Sequence, residues 1–80
     1  MEQMQITSEL TSIFRKIFND QSIEIKNAMT ADDVDGWDSL SHMILITEIE
    51  DHFSIKFKLR ELNKMNNVGK LIELIELKTS

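Results

Sequence analysis

Several residue types are missing or scarce in this 80-residue chain, and each absence removes a class of structure. There is no cysteine, which excludes disulfide bonds, thiolate metal sites and a cysteine nucleophile. Proline and tyrosine are absent and there are only two glycines, so a turn-rich sheet is disfavoured. No apolar run approaches the roughly 20 residues of a membrane span, and the N-terminus lacks the regions of a signal peptide. We therefore expect a cytoplasmic protein held together by helix packing.

Positive charge is absent from the middle of the chain. The net charge is −5, and no Lys or Arg lies between Lys26 and Lys56. That stretch contains half of the acidic residues, namely Asp32, Asp33, Asp35, Asp38, Glu48, Glu50 and Asp51. Since nucleic-acid binding needs a basic face, this charge argues against a nucleic-acid partner, and we expect none. The acidic stretch is either solvated surface that keeps a small protein soluble, or a field that steers a basic protein surface towards it.

The spacing of apolar residues predicts an all-α fold, with helices at about residues 5–18, 39–53, 59–65 and 67–77. We expect a small four-helix bundle, a single domain over residues 1–80, with a long first loop and a short third helix. The expected core positions are Ile6, Leu10, Ile13, Phe14, Ile17 and Phe18, then Leu45, Ile46, Ile49 and Phe53, then Val68, Leu71, Ile72, Leu74 and Ile75.

The long connection over residues 19–38 needs tethers, because loops of this length in compact domains are otherwise rare. Its apolar residues are spaced irregularly and are expected to pin the loop to the bundle: Ile23, Ile25, Met29 and Val34. Asn66 or Asn67 is the expected N-cap of the last helix. Trp37 either seals the loop onto the core, which we favour for a large aromatic near a turn, or flanks a functional serine.

That serine is Ser39, at the point where the acidic loop becomes the second helix. A hydroxyl there can cap the helix, and a phosphate on it would lie at the positive end of the helix dipole. The helix also has a second stripe away from its Leu45/Ile49 face, formed by Leu40, Met43, Ile44 and Thr47. Either this helix is buried on two sides, or the second stripe docks a partner.

Catalysis by the chain itself is not supported. A Ser39-His42-Asp38 triad has poor geometry, since nothing provides an oxyanion hole or a pocket. His42 and His52 are ten residues apart and point to different faces of the helix, so they form no metal pair. His42 is expected to touch a partner or a group carried on Ser39.

The run Gly36-Trp37-Asp38-Ser39-Leu40, followed by a helix that ends in Glu48-Ile49-Glu50-Asp51-His52-Phe53, resembles the attachment motif of acyl carrier proteins. The order of helices, the length and the acidity resemble that family along nearly the whole chain. With Ser41-His42 after the motif and Phe53-Ser54-Ile55-Lys56-Phe57 after the helix, the chain is most similar to free-standing carriers of specialised bacterial pathways.

This resemblance implies a non-catalytic carrier. Ser39 would receive 4′-phosphopantetheine from coenzyme A, transferred by a phosphopantetheinyl transferase, and Asp38 would be the flanking motif residue. The arm would then hold an acyl group as a thioester. The implied partners are that transferase, an acyl- or aminoacyl-loading ligase, and an acyltransferase or synthase, all meeting a monomer. The docking surface would comprise Leu40, Met43, Ile44, Thr47, Glu48 and Asp51.

Two other functions stay open at this point. One is an aminoacyl or peptidyl carrier of the same fold, and the other is an unmodified helical adaptor that binds through the second stripe. The housekeeping carriers have acids early in helix two, where this chain has Ser41 and Ile44. A more apolar docking contact is therefore expected here.

We predict that Ile49→Asp unfolds the protein, because it places an unpaired charge on the inner face of the second helix. The expected cost is roughly 3 kcal/mol or more. A thermal melt followed by circular dichroism checks this, and an unchanged midpoint would mean that the inner face is assigned wrongly.

Overall fold

The computed structural model describes residues 2–62, 65 and 67–79. Four α-helices lie in these ranges: α1 (Gln3–Ile17), α2 (Ser39–Phe53), α3 (Leu59–Leu62) and α4 (Val68–Thr79). A short 3₁₀ turn (Ala31–Asp33) interrupts the loop between α1 and α2. The all-α, four-helix prediction is confirmed, and the bounds of α2 are those predicted. None of the helices in the described ranges has the length and apolar character needed to cross a membrane.

The other helices differ from prediction at their ends. α1 begins and ends earlier than expected. It ends at Ile17 because Phe18 is its C-cap and the next residue, Asn19, has a positive φ of 51°. α3 ends at Leu62 and Met65 is not helical, so the predicted end at residue 65 is wrong, and residues 63 and 64 lie outside the described ranges. α4 continues to Thr79, whose hydroxyl donates to the Ile75 carbonyl at 2.8 Å.

The core is built by one face each of α1, α2 and α4. Most of the predicted positions are buried, and α1 packs against both of the other long helices. Ile17, Phe18 and Leu74 are only partly buried. Ile17 and Phe18 lie at the C-terminal end of α1, and Leu74 lies at the edge of the apolar stripe of α4. Ile55 is a buried core residue that the pattern did not indicate. α3 contributes no buried residue.

The long loop is tethered as predicted. Ile23 and Val34 are buried in the core, and Ile25 and Met29 pack against it while partly exposed. The 3₁₀ turn was not predicted, although Thr30-Ala31-Asp32-Asp33 has the spacing of a capping box. The Thr30 hydroxyl accepts from the Asp32 N–H at 3.3 Å, and Asp33 Oδ2 accepts from the Thr30 N–H at 2.9 Å.

The same loop closes the start of α4. The Met29 and Asn27 carbonyls accept from the N–H groups of Val68 and Gly69, both at 2.9 Å. Asn67 caps the helix as predicted, since its Oδ1 accepts from the Lys70 N–H at 2.9 Å. Asn66, the alternative cap, lies outside the described ranges. The first N–H groups of α4 are thus satisfied by the loop and by Asn67.

We predict that Gly69→Ala destabilises the protein, although alanine normally favours a helix over glycine by about 1 kcal/mol. A Cβ at Gly69 would lie 3.1 Å from the Asn27 carbonyl oxygen, and that oxygen cannot retreat without losing the Gly69 N–H. Urea unfolding measures the effect, with Lys70→Ala, an exposed neighbour, as a control that should change stability by less than about 0.5 kcal/mol. A more stable Gly69→Ala variant would show that the loop yields without loss.

Candidate functional site

The start of α2 is held by two residues that cap each other. Asp38 Oδ1 accepts from the Ser41 N–H at 2.9 Å, and the Ser41 hydroxyl oxygen accepts from the Asp38 N–H at 2.8 Å. This is a capping box, which satisfies two backbone donors at once. The expectation that Ser39 can cap this helix is therefore wrong, because Asp38 is the N-cap and Ser39 is the first helical residue.

Ser41 also ties the helix to the turn before it. Its hydroxyl donates to the Gly36 carbonyl at 2.7 Å, and Gly36 itself adopts a φ of 85°, a conformation that side chains disfavour. The Ser41 hydroxyl is therefore fully engaged within the protein. Ser39, two residues earlier, is exposed, and within the described part of the chain its hydroxyl has no hydrogen-bond partner.

The capping bonds also set the charge state of Asp38. The hydrogen bond from the backbone N–H of Ser41 holds the pKa of this carboxyl below its usual value. Asp38 therefore stays ionised at neutral pH and opposes the positive end of α2.

An open cavity of about 500 Å³ lies beside Ser39. It is lined on the α2 side by Trp37, Asp38, Ser39 and His42, and on the other sides by Ala31, Leu62 and Met65. The cavity thus joins the 3₁₀ turn, the start of α2 and the end of α3. Ala31, Leu62 and Met65 were not predicted as site residues, because no local signal shows that distant segments meet there.

Trp37 is partly buried and packs against the aromatic residues of α1. Its ring meets Phe14 edge-on, with centroids 5.2 Å apart and planes at 90°, and lies 6.1 Å from the ring of Phe18. The structure thus bears out the favoured interpretation that Trp37 seals the loop onto the core. Trp37 also lines the cavity beside Ser39, so it contacts the core and flanks the serine as well.

The two histidines have different hydrogen-bond partners. His42 Nδ1 accepts from the Trp37 indole N–H at 3.1 Å, and burial lowers the pKa of His42. His52 Nε2 lies 2.8 Å from Glu9 Oε1 on α1. The His42 backbone N–H donates to the Asp38 carbonyl at 2.8 Å, but among the described residues no hydrogen bond joins the imidazole to the Asp38 carboxylate, which accepts from Ser41. These side chains therefore form no Ser39-His42-Asp38 relay.

The second stripe of α2 faces solvent. Leu40, Met43 and Ile44 are 73%, 53% and 51% exposed, respectively, and Thr47 is also exposed. α2 is therefore buried on one side, and the interpretation of a helix buried on two sides is wrong.

The two acids expected on the docking surface differ in their pairing. Glu48 Oε1 is paired with Lys16 Nζ on α1 at 2.7 Å. Asp51 is exposed. The structure thus presents an apolar strip next to Ser39, with one acid engaged by α1 and another open to solvent.

Comparison with known proteins agrees with this geometry. The family model described as the phosphopantetheine attachment site matches residues 8–75. A comparison with curated proteins gave no match. Among solved structures, the chain is similar to the holo acyl carrier protein from Geobacter metallireducens, determined by solution NMR. The two are 50% identical, with 90% of this chain and 83% of that chain covered and a TM-score of 0.86.

These matches decide between the functions that the sequence left open. They favour an acyl carrier over an aminoacyl carrier or an unmodified adaptor, and they confirm the predicted cofactor. The chain belongs to the acyl carrier protein family, whose members are non-catalytic carriers with a covalently bound 4′-phosphopantetheine.

Proposed function

We propose that Ser39 is the attachment residue and that this chain presents acyl groups, held as thioesters, to a series of partner enzymes. The observation that carries this proposal is the contrast between the two serines at the start of α2. The hydroxyl of Ser41 accepts from the Asp38 N–H and donates to the Gly36 carbonyl, whereas the hydroxyl of Ser39 is exposed beside the cavity. Ser39 is therefore the hydroxyl that an enzyme can reach.

The surroundings of Ser39 fit a phosphodiester. Ser39 lies in the first turn of α2, where backbone N–H groups lack carbonyl partners within the helix and the dipole favours an anion. The cavity beside it has polar and apolar walls, which suits a flexible arm with amide groups and methyl groups. When bound, the arm supplies a terminal thiol that carries the acyl group.

The residues of the chain then act by holding and presenting. Asp38 and Ser41 fix the direction of the first turn of α2, so that the hydroxyl of Ser39 stays at the surface. The absence of cysteine means that no thiol of the chain competes for the thioester. Because coenzyme A supplies the arm, we place this carrier in the cytoplasm.

The proposed partners follow from this cycle of loading and delivery. A phosphopantetheinyl transferase would move the arm from coenzyme A to Ser39 in a Mg²⁺-dependent reaction: the hydroxyl attacks the phosphorus next to the pantetheine, the pyrophosphate bond breaks, and adenosine 3′,5′-bisphosphate leaves. An acyl-loading ligase or transferase then charges the arm, and an acyltransferase or synthase takes the cargo. Such partners would meet the exposed strip of Leu40, Met43, Ile44 and Thr47, with Glu48 and Asp51 at its end. The low charge of this strip supports a role in a specialised pathway.

We predict that incubation with coenzyme A, Mg²⁺ and a broad-specificity phosphopantetheinyl transferase raises the intact mass of the wild type by one phosphopantetheine. Ser39→Ala should show no gain, since it lacks the accepting hydroxyl. Ser41→Ala is the matched control two residues away, and it should still gain one arm, although loss of the cap lowers its stability by about 1 kcal/mol. Modification of Ser39→Ala, or no gain in the wild type, would contradict the assignment.

We predict a mainly apolar docking contact at the exposed strip. Ile44→Ala should raise the KM for the transferase reaction about fivefold, which corresponds to roughly 1 kcal/mol of lost contact. Met4→Ala is the control, because Met4 is more exposed than Ile44 but lies on α1. KM should change little between low and physiological salt. A steep rise of KM with salt, together with no effect of Ile44→Ala, would contradict this docking surface.

A further inference from the structure

Trp37 and His42 form a hydrogen-bonded pair at the wall of the cavity beside Ser39. The indole N–H donates to His42 Nδ1 at 3.1 Å, and the two ring planes are inclined by only 23° with centroids 6.0 Å apart. Contacts of Trp37 with Phe14 and Phe18 fix the indole against α1. The orientation of the imidazole is thereby set from the core outwards.

This bond decides which nitrogen of His42 carries the proton. An indole N–H can only donate, so Nδ1 must accept, and a neutral imidazole then carries its proton on Nε2. Burial acts in the same direction, because it lowers the pKa of His42 and keeps the ring neutral at neutral pH. His42 is therefore a neutral N–H donor whose lone pair on Nδ1 is already used.

That donor lies one helical turn from Ser39. Side chains three residues apart on a helix are neighbours, with Cβ atoms about 5–6 Å apart, and Ser39 and His42 line the same cavity. Among the described side chains that line it, Trp37 and His42 have N–H groups, and that of Trp37 is taken by His42. The N–H of His42 is thus the one that remains for a bound group.

We propose that His42 Nε2–H donates a hydrogen bond to a phosphate oxygen of the arm on Ser39, and that Trp37 is the residue that positions His42 for this contact. The inference rests on the proposed attachment at Ser39. A hydrogen bond to an anionic oxygen is shorter and stronger than one between neutral groups. The contact would fix the base of the arm against the cavity wall, so that the swing of the arm begins from a defined direction.

The wild-type protein itself provides the first test, because α2 has one histidine beside Ser39 and a second, His52, that lies against Glu9 and serves as a reference. Ring nitrogens are followed by ¹⁵N NMR from pH 5 to 8 in the apo form and in the form loaded with the arm. In both forms His42 should show the proton on Nε2 at neutral pH. In the loaded form His42 should titrate at a higher pH than in the apo form, because a nearby phosphodiester anion favours the imidazolium.

Two features of the protein ensure that a change in the titration of His42 reports on the phosphate of the arm. Asp38 is the other titratable residue among the described side chains that line the cavity, and it is present in both forms, so its effect cancels. His52 is the internal control, since it lies ten residues further along α2 against Glu9. Its ring signals should superimpose in the two forms over the whole pH range.

Variants separate hydrogen bonding from packing. Trp37→Phe keeps an aromatic ring but removes the indole N–H, so His42 should become a mixture of tautomers. The difference between the pH at which His42 titrates in the apo form and in the loaded form should then become smaller. The ³¹P resonance of the arm should shift in His42→Leu but stay near the wild-type position in His42→Gln, which retains an N–H donor. A ³¹P resonance at the same position in the wild type, His42→Leu and His42→Gln would overturn the proposal.

Intact mass distinguishes the possible failures. If the wild type gains no arm, the attachment at Ser39 is wrong and this inference fails with it. If the arm is fully loaded but His42 titrates identically in the apo and loaded forms, the attachment stands and the proposed contact alone is overturned. This reading needs no substitution, so it holds even if a variant fails to fold.

Discussion

The reciprocal cap between Asp38 and Ser41 is the interaction on which the rest of the site depends. It stops the loop and starts α2 at Ser39, with both bonds between 2.8 and 2.9 Å. The polar side chains of Asp38 and Ser41, on either side of Ser39, are used to fix the backbone. The hydroxyl of Ser39 stays exposed in this arrangement, because it is not needed to cap the start of α2.

The loop before the cap is held at several points and is therefore a wall of the site as well as a connection. Trp37 joins it to α1 through Phe14 and Phe18, and the carbonyls of Asn27 and Met29 close the start of α4. The 3₁₀ turn then brings Ala31 to the cavity beside Ser39. A segment with little regular structure thus shapes the space in which an attached arm would begin.

α3 contributes to the same space although it adds nothing to the buried core. Glu61 holds it in place, since its Oε1 accepts from the Lys58 N–H at 2.7 Å and pairs with Lys78 Nζ on α4 at 2.9 Å. Leu62 then faces the cavity. Leu62 and Met65 are partly buried and pack against the core, so apolar contacts support this wall beside the ion pair.

The sequence by itself determined the helical class, the bounds of α2 and most of the core, and it singled out Ser39 as the candidate functional residue. These features depend on apolar periodicity and on motifs of a few neighbouring residues, which are local properties of the chain. It did not show that Asp38 takes the cap, since Asp38 and Ser39 are both good capping residues and only the backbone direction chooses between them.

Only the tertiary structure decided which segments meet. Ala31, Leu62 and Met65 share a cavity with Ser39, and Glu48 finds Lys16 on another helix, because packing joins residues that are distant in sequence. The exposure of Leu40, Met43 and Ile44 was decided in the same way, since an apolar stripe is buried only if another element covers it. The proton position on His42 likewise depends on the indole N–H of Trp37, which the fold fixes against α1.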